Sequence, residues 1–310
     1  LADLVAEAPD FAAAWFLLGE MREQAGDTAG AIAAYGEILV REPDDPFGAG
    51  LRLARLGAAV DEGAMSPAYV RTLFDQYAAR FDEALRTRLA YRGPELLAEA
   101  LNEVCRKLGR VMRFACALDM GCGTGLAAPY LAEVAERLEG VDLSPAMLAQ
   151  ADRLGLYGAL HEGEMGAVLA QAAPRTYDLI LAADALCYVA DLSVLFQSAA
   201  TALAPGGLFA FTLETYEGDD VLLRETLRYA HGIAHLAEAA AASGLTILHL
   251  NHASARMEHG VPVPGLVVVL SQGQDAPVMA AIIPSAITVP AFPPVAVPPL
   301  AAAALTPPGG

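Results

Sequence analysis

Between an apolar run and a helical pattern the chain reads Ala117-Leu118-Asp119-Met120-Gly121-Cys122-Gly123-Thr124-Gly125. Glycines at a strand-to-helix turn let the backbone fold sharply and come close to a ligand. The helix start beyond offers unpaired N–H groups. A dinucleotide loop runs G-x-G-x-x-G and needs a third glycine at position 126, where this chain has Leu126. Here the third glycine is Gly125, and an acid, Asp119, stands just ahead of the loop. The next apolar run closes with Gly140-Val141-Asp142-Leu143-Ser144. An acid at that strand end can accept hydrogen bonds from both hydroxyls of a ribose. Such charge-assisted bonds contribute about 1.5–3 kcal/mol. The competing role for Asp142 is a helix N-cap, which Ser144 can fill instead.

The G-x-G-x-G loop with its preceding acid closely resembles motif I of class I S-adenosylmethionine (SAM)-dependent methyltransferases. The resemblance implies that Gly121, Cys122, Gly123, Thr124 and Gly125 pack against the methionine and ribose portions of the cofactor. It also implies that Asp119 contacts the cofactor's amino-acid end. The D-x-S-x-x-M-L wording of that family recurs at Asp142, Ser144, Met147 and Leu148, which implies Asp142 at the ribose and Leu143 and Met147 among the cofactor-binding residues. After the third strand the family places an acid on the adenine amino group. Glu164 is the favoured candidate, with Met165 against the adenine face and Glu162 as the competitor. Residues 70–270 further resemble a bacterial group of methyltransferases that carry tetratricopeptide repeats. The matching stretches are FDQYAARFDEAL, YRGPELL, LDMGCGTG, APGGLFAFTLE, RYAH and GVPVPGLVVVL. In that group an aromatic helix ahead of motif I covers the cofactor, so Tyr77 and Phe81 are expected to line the site.

The resemblance implies a SAM-dependent methyltransferase, with S-adenosylhomocysteine as product. A sulfonium methyl is already activated, so alignment and exclusion of water are the protein's main tasks. A general base is needed only for a hydroxyl or a protonated nitrogen. Candidates follow the strand ends where open α/β sheets bind ligands. They are Asp184 and Tyr188, then Glu214 and Tyr216, then Arg228, Tyr229 and His231. His231 is the preferred base because an imidazole titrates near neutrality. Ala183-Asp184-Ala185-Leu186 replaces the Asn/Asp-Pro-Pro-Tyr motif of amino-nitrogen methyltransferases, which disfavours DNA and glutamine as acceptors. No His/Asp/Glu group has metal-ligand spacing.

These residues need a sheet to hold them, and the pattern supplies one. Strands are expected at 114–120, 138–143, 159–161, 177–183, 208–214, 246–252 and 266–270. Helices are expected at 94–108, 126–137, 145–154, 192–203 and 231–242. Alternation of the two predicts a Rossmann-like α/β fold, a mostly parallel sheet with helices on both faces. The last two strands lack an intervening helix, which predicts an antiparallel strand at one edge. Ahead of the sheet, 67–92 reads as a helical block with Tyr69, Leu73, Phe74, Tyr77 and Phe81 on one face. Residues 1–60 are helical, with turns at Pro9-Asp10, Gly26-Asp27 and Pro43-Asp44. There Trp15-x-x-Leu18-Gly19, Ala31-x-x-x-Tyr35 and Pro43 resemble the tetratricopeptide repeat, a unit of about 34 residues. Roughly three repeats are needed for independent stability, so this segment should pack on its neighbour. The expected division is 1–60, 61–271 and 272–310.

Composition narrows the partners. The net charge is −18, with 55% hydrophobic and 18% charged residues. An acidic surface repels phosphate backbones, and Arg106, Lys107, Arg110 and Arg113 make only a small basic run, so nucleic acid is not the expected partner. Cys105, Cys116, Cys122 and Cys187 form no CxxC pair, which suits a reduced, cytoplasmic setting. The chain opens on Leu1 with no basic region before an apolar stretch, and no signal peptide is expected. Prolines break the uncharged stretch 275–310, so no membrane span is expected. The expected acceptor is a small molecule. The alternatives are a protein target recruited through the repeats, or a SAM-binding scaffold without activity. Deleting 275–310 should leave thermal midpoint and SAM affinity nearly unchanged, because a proline-rich tail makes few native contacts. A marked fall in the midpoint on thermal denaturation would count against this reading.

Overall fold

The computed structural model describes residues 1–60, 63–81 and 89–273. The stretch 275–310, expected to be a tail, and part of the 67–92 block lie outside the described residues.

The chain begins with helices α1 (Ala2–Glu7), α2 (Ala12–Gln24), α3 (Thr28–Arg41) and α4 (Ala49–Arg55). Helices α2 and α3 meet closely because Gly19 has no side chain: a Cβ there would lie 2.5 Å from the Tyr35 ring. Tyr35 is fully buried and donates its hydroxyl to Glu23 Oε2 at 2.9 Å. Asp27 caps α3 by accepting the Gly30 N–H at 2.9 Å. Helix α4 packs its Ala49 and Leu53 against Ala31, Tyr35 and Ile38 of this pair. Its Leu51 and Ala54 pack with Leu227 and Tyr229 from far along the chain.

The central sheet has seven strands: β1 (Phe114–Met120), β2 (Ala135–Asp142), β3 (Ala159–Glu162), β4 (Tyr177–Ala182), β5 (Leu203–Glu214), β8 (Leu245–His252) and β11 (Gly265–Gln272). Their order is β3-β2-β1-β4-β5-β11-β8. The first five run parallel, and β11 is antiparallel to both neighbours. Alternate residues of each strand feed two cores. Leu118, Met120, Ile180 and Phe209 face helices Leu192–Ala202 and Ile233–Ala242. Ala117, Leu179, Leu181 and Ala210 face helix Gly93–Lys107. Burial on both faces is why these strands read as unbroken apolar runs. Asp178 ties the sheet's lower end by accepting the Ala115 and Cys116 N–H groups at 2.7 and 2.9 Å. All four cysteines are buried and unpaired. Among the described residues no helix is long and apolar enough to cross a membrane.

The fold corrects several expectations. The antiparallel strand is not at the edge: β11 lies inside and β8 is the outermost strand. The burial pattern gives the reason, since Leu266–Ser271 are all buried while β8 is largely half-exposed. The helix expected at 126–137 is confined to Ala128–Ala132, because Ala135 and Arg137 pair with Phe114 and Cys116 and extend β2 backwards. Sheet pairing here overrides the helix propensity of Glu136 and Arg137. The block 67–92 is not one helix. Helix α5 (Pro67–Tyr77) passes into a short 3-10 turn at Ala78–Arg80, and Ala90 has left the helical region at φ 44°. His231 does not start a helix; it ends β7 (Tyr229–His231), which pairs antiparallel with β6 (Val221–Leu223). A second small hairpin, β9 (Met257–Glu258) with β10 (Val261–Pro262), follows β8.

A Gly19→Val substitution should cost about 1–3 kcal/mol through overpacking against Tyr35. Chemical denaturation should show it as a lower midpoint. An unchanged midpoint would mean that the Tyr35 ring can relocate.

Candidate active site

The loops past the C-terminal ends of β1, β2, β4 and β5 enclose a cavity of about 550 Å3, roofed by α5. The glycine loop forms one wall. Gly121, Gly123 and Gly125 all have left-handed φ, at 63°, 54° and 87°. A Cβ on Gly121 would lie 2.6 Å from Ala185 Cβ, and one on Gly125 2.6 Å from Leu154 Cδ1. A Cβ on Gly123 would instead point into open space, with Phe81 the nearest group at 3.7 Å. Two glycines therefore permit packing behind the loop, and the middle one leaves its inner face bare.

Three acids occupy this end. Asp119, at the end of β1, is 1% exposed and accepts the Tyr157 hydroxyl at 2.7 Å. Burial pushes its carboxyl up to about 7, against the pull of the Tyr157 hydrogen bond. Asp142 ends β2; its Oδ2 accepts the Gly123 N–H at 2.9 Å and its Oδ1 the Ser144 N–H at 2.8 Å. Burial raises its pKa, and those two N–H groups oppose the rise. Ser144 is itself the N-cap of helix Pro145–Asp152, so both roles weighed for Asp142 coexist in the pair. Glu164 caps helix Met165–Gln171 by accepting the Gly166 and Ala167 N–H groups at 2.9 and 2.7 Å. It lines the cavity with Met165, whereas Glu162 is ion-paired to Arg71 at 3.2 Å and does not.

Cys122, Thr124, Leu143, Tyr77, Phe81, Asp184 and Tyr188 also line the cavity. Gly125, Met147 and His231 do not. Gly125 serves the turn. Met147 is fully buried and donates its N–H to the capping Ser144 Oγ at 3.1 Å. His231 is fully buried, with Nε2 3.2 Å from the Ala190 carbonyl oxygen. That carbonyl can only accept, so Nε2 carries the proton. Burial lowers the imidazole to about 4. Strand β7 thus draws the preferred base into the wall behind the cavity and keeps it neutral.

The opposite end is aromatic and ionic. The Phe74 ring stands edge-on to Phe81 at 5.8 Å and to Tyr188 at 5.4 Å between centroids. Asp184 takes a left-handed φ of 59°, with its N–H donated to Thr212 Oγ1 at 2.8 Å. Burial raises its pKa, and the paired Arg256 works against that rise. Arg256 joins Asp184 to Glu214, and lies 3.4 Å from Glu258. Arg228 pairs with Glu258 and donates Nε–H to the Tyr188 oxygen at 3.3 Å. Sequence reasoning did not single out Tyr91 and Arg256, which line the cavity, or Tyr157 and Asp75, which bond to Asp119 and Ser144 behind it. Among the described residues no three His, Cys, Asp or Glu side chains converge as a metal site.

The methyltransferase domain family profile matches residues 118–211. Human methyltransferase-like protein 27 is 37% identical over 114 residues, which cover 36% of this chain and 45% of that protein. The ubiquinone biosynthesis O-methyltransferase of Methylobacterium sp. (strain 4-46) is 30% identical over 148 residues, 44% of this chain and 59% of the relative. The chain spans about half the length of the curated relatives it matches. Among solved structures, the 1,6-didemethyltoxoflavin-N1-methyltransferase of Burkholderia thailandensis, with 1,6-didemethyltoxoflavin and S-adenosylhomocysteine bound, superimposes with a TM-score of 0.51. That alignment covers 67% of this chain and 88% of the other at 18% identity, and it speaks to the fold alone. The segment that matches a methyltransferase domain, residues 118–211, holds the glycine loop, Asp142, Glu164 and Asp184.

Proposed function

We propose that the chain transfers a methyl group from SAM to a small molecule, and that both compounds share the single cavity under α5. The observation that carries this reading is the polarity of that cavity. Asp119, Asp142 and Glu164 line one end, and Asp184, Tyr188 and Arg228 line the other. The first end fits the cofactor. Asp119 is a buried acid that gains from a cationic partner, which the ammonium group supplies. Asp142 keeps acceptor capacity for a ribose diol, Glu164 can accept from the adenine amino group, and bare Gly123 admits close approach. When bound, the cofactor supplies an activated methyl group on a sulfonium. At the other end Asp184 is the group placed to take a proton from the acceptor. Arg256 holds its carboxyl, and the aromatic roof of Phe74 and Phe81 excludes water. His231, enclosed behind β7, keeps the wall and has no path to the acceptor.

A roofed cavity favours a small acceptor over a protein side chain. The ubiquinone biosynthesis O-methyltransferase relatives support a hydroxyl as acceptor class. We read 1–60 as a tetratricopeptide-like unit, 61–271 as the catalytic domain and 272–310 as a tail. Incubation with methyl-labelled SAM and a fractionated cell extract tests the acceptor class. Label is expected in the small-molecule fraction, and label confined to protein would overturn the proposal.

Asp142→Ala should weaken SAM binding about ten- to a hundredfold, through loss of about 1.5–3 kcal/mol of ribose hydrogen bonding. The same change frees the Gly123 and Ser144 N–H groups, so the ligand-free protein should lose about 1–3 kcal/mol as well. Calorimetric titration and denaturation read the two effects separately. Unchanged affinity in a folded variant would remove Asp142 from the cofactor site.

Asp119 predicts a pH dependence. With its carboxyl at about 7 in the ligand-free protein, the ionised form that pairs with an ammonium is lost as pH falls through 7. SAM affinity should therefore be highest near pH 7.5 and fall below 7, approaching about tenfold per pH unit. An α-amino group has a pKa of about 7.7–8.0, so the cofactor is still mainly protonated at pH 7.5 and almost wholly so below 7. Asp119→Asn should bind more weakly at pH 7.5 and show a flatter profile. A wild-type profile that is already flat between pH 5.5 and 7.5 would show that Asp119 does not meet the ammonium.

A further inference from the structure

Helix α5 is joined to the cofactor end of the cavity by Asp75, a carboxylate within the FDQYAARFDEAL stretch to which the resemblance assigns no role. Asp75 Oδ1 accepts the Ser144 hydroxyl at 2.5 Å and lies 3.4 Å from the Ala146 N–H. Ser144 carries that contact inward. Its hydroxyl oxygen caps the following helix at the Met147 N–H, and its own N–H goes to Asp142 Oδ1 at 2.8 Å. Asp142 Oδ2 in turn holds the Gly123 N–H at 2.9 Å. Roof, helix cap, ribose acid and glycine loop are thus connected in series.

The manner of attachment matters as much as the connection. Val70, at 8% exposure, is the one buried residue of α5, so no deep apolar core fastens the helix. Its other ties to this end are also polar: Arg71 to Glu162 at 3.2 Å, and Gln150 Nε2 to the Ala78 carbonyl oxygen at 2.5 Å. Elements held by few buried apolar contacts open at low free-energy cost. A covered cavity needs such opening if cofactor and product are to exchange. Ser144 is fully buried whereas Asp75 is part-exposed, so the bond separates cleanly into a fixed half on the sheet and a movable half on the roof.

We propose that Asp75 is a positioning residue that latches α5 shut over the cofactor and, through Ser144, holds the Asp142 carboxyl in its binding orientation. Ligand release then waits on rupture of the Asp75–Ser144 bond. The inference rests on the assignment of the Asp119–Glu164 end of the cavity to the cofactor.

The test uses the full chain and S-adenosylhomocysteine, with binding and release followed by surface plasmon resonance. Asp75→Ala should speed release about tenfold, the effect of losing one hydrogen bond to a charged group. Association should change by less than about threefold, since a latch acts on the off-rate. Asp75→Asn keeps an oxygen that can accept from Ser144 and should restore slow release. In wild type and Asp75→Asn the ligand should protect the Arg71 and Arg80 bonds from trypsin; in Asp75→Ala it should not. Ser144→Ala removes the same contact from the other side and should match Asp75→Ala, which keeps the test open if that variant does not fold. Release from Asp75→Ala at the wild-type rate overturns the latch, as does an Asp75→Asn variant no slower than Asp75→Ala. A thermal midpoint that falls in step with affinity, with the kinetic split absent, assigns Asp75 a plain structural role and also overturns it. Wild-type protein that fails to bind the probe overturns the cofactor assignment itself.

Discussion

The two oxygens of Asp142 hold the N–H groups of Gly123 and Ser144, and the end of the cavity proposed for the cofactor is arranged about that pair. One bond fixes the glycine loop against the end of β2. The other orients the first turn of the next helix, so that Ser144 is free to cap it and to meet α5. A buried carboxylate is tolerated because its desolvation is offset by hydrogen bonds to the charged form. The parallel pairing of β1 with β2 brings Asp119 and Asp142 to the same edge of the sheet. Two acids held so close, with burial raising both, make an end of the cavity suited to a ligand that brings positive charge and hydroxyl donors together.

The opposite end, proposed for the acceptor, obeys a different constraint. It is built from loops that share little sequence, and an ionic cluster keeps them together. Asp184 follows β4, Glu214 ends β5, Arg224 and Arg228 belong to the β6–β7 hairpin, and Arg256 and Glu258 lie beyond β8. Arg256 is 3% exposed and bonds to acids from all three regions, while Arg224 meets Glu214 at 3.2 Å. Three arginines against three carboxylates leave the cluster neutral, so its desolvation is balanced in place. Removing one member would strand a charge, at a typical cost of about 3–5 kcal/mol. Burial would raise Glu258, yet Arg228 and Arg256 overcome it and hold that carboxyl below its ordinary range. The cluster thus stabilises few residues by itself and instead determines where Asp184 and Tyr188 stand.

That contrast explains what could be read from the chain. The glycine loop, Asp119, Asp142 and Glu164 were legible because strand, turn and helix follow one another within a few residues, and the geometry is local. Most of the parallel strands were legible for a related reason, their two-sided burial in unbroken apolar runs. Arg256 and Asp75 were not, since their partners lie 72 and 69 residues away in sequence and nothing in the spacing foretells the meeting. The same limit placed β11 wrongly: strand order depends on which run is buried on both faces, and Thr246 to His252 and Leu266 to Leu270 look alike until neighbours are known. His231 misled because residue type suggests a proton acceptor, whereas the hairpin that encloses it decides the pKa.

The N-terminal helices belong to this picture through the hairpin. Leu51 and Ala54 of α4 share a cluster with Leu227 and Tyr229, and Arg55 meets Glu225 at 2.9 Å. Thr226, Leu227, Arg228 and Tyr229 in turn line the cavity. From the other side, Gly48 at the start of α4 adopts a φ of 72°, and a Cβ there would lie 2.7 Å from the ring of Tyr69 on α5. The exposed Arg55–Glu225 pair contributes little on its own; the buried leucine and tyrosine contacts carry the attachment. Helix α4 therefore touches both the roof and the acceptor wall from behind. A displacement of α4 would have to move Tyr69 or the hairpin with it, because packed side chains transmit strain rather than absorb it. The helical segment is in this sense a wall of the acceptor end, and the shape offered to the acceptor depends on it as well as on the strand ends.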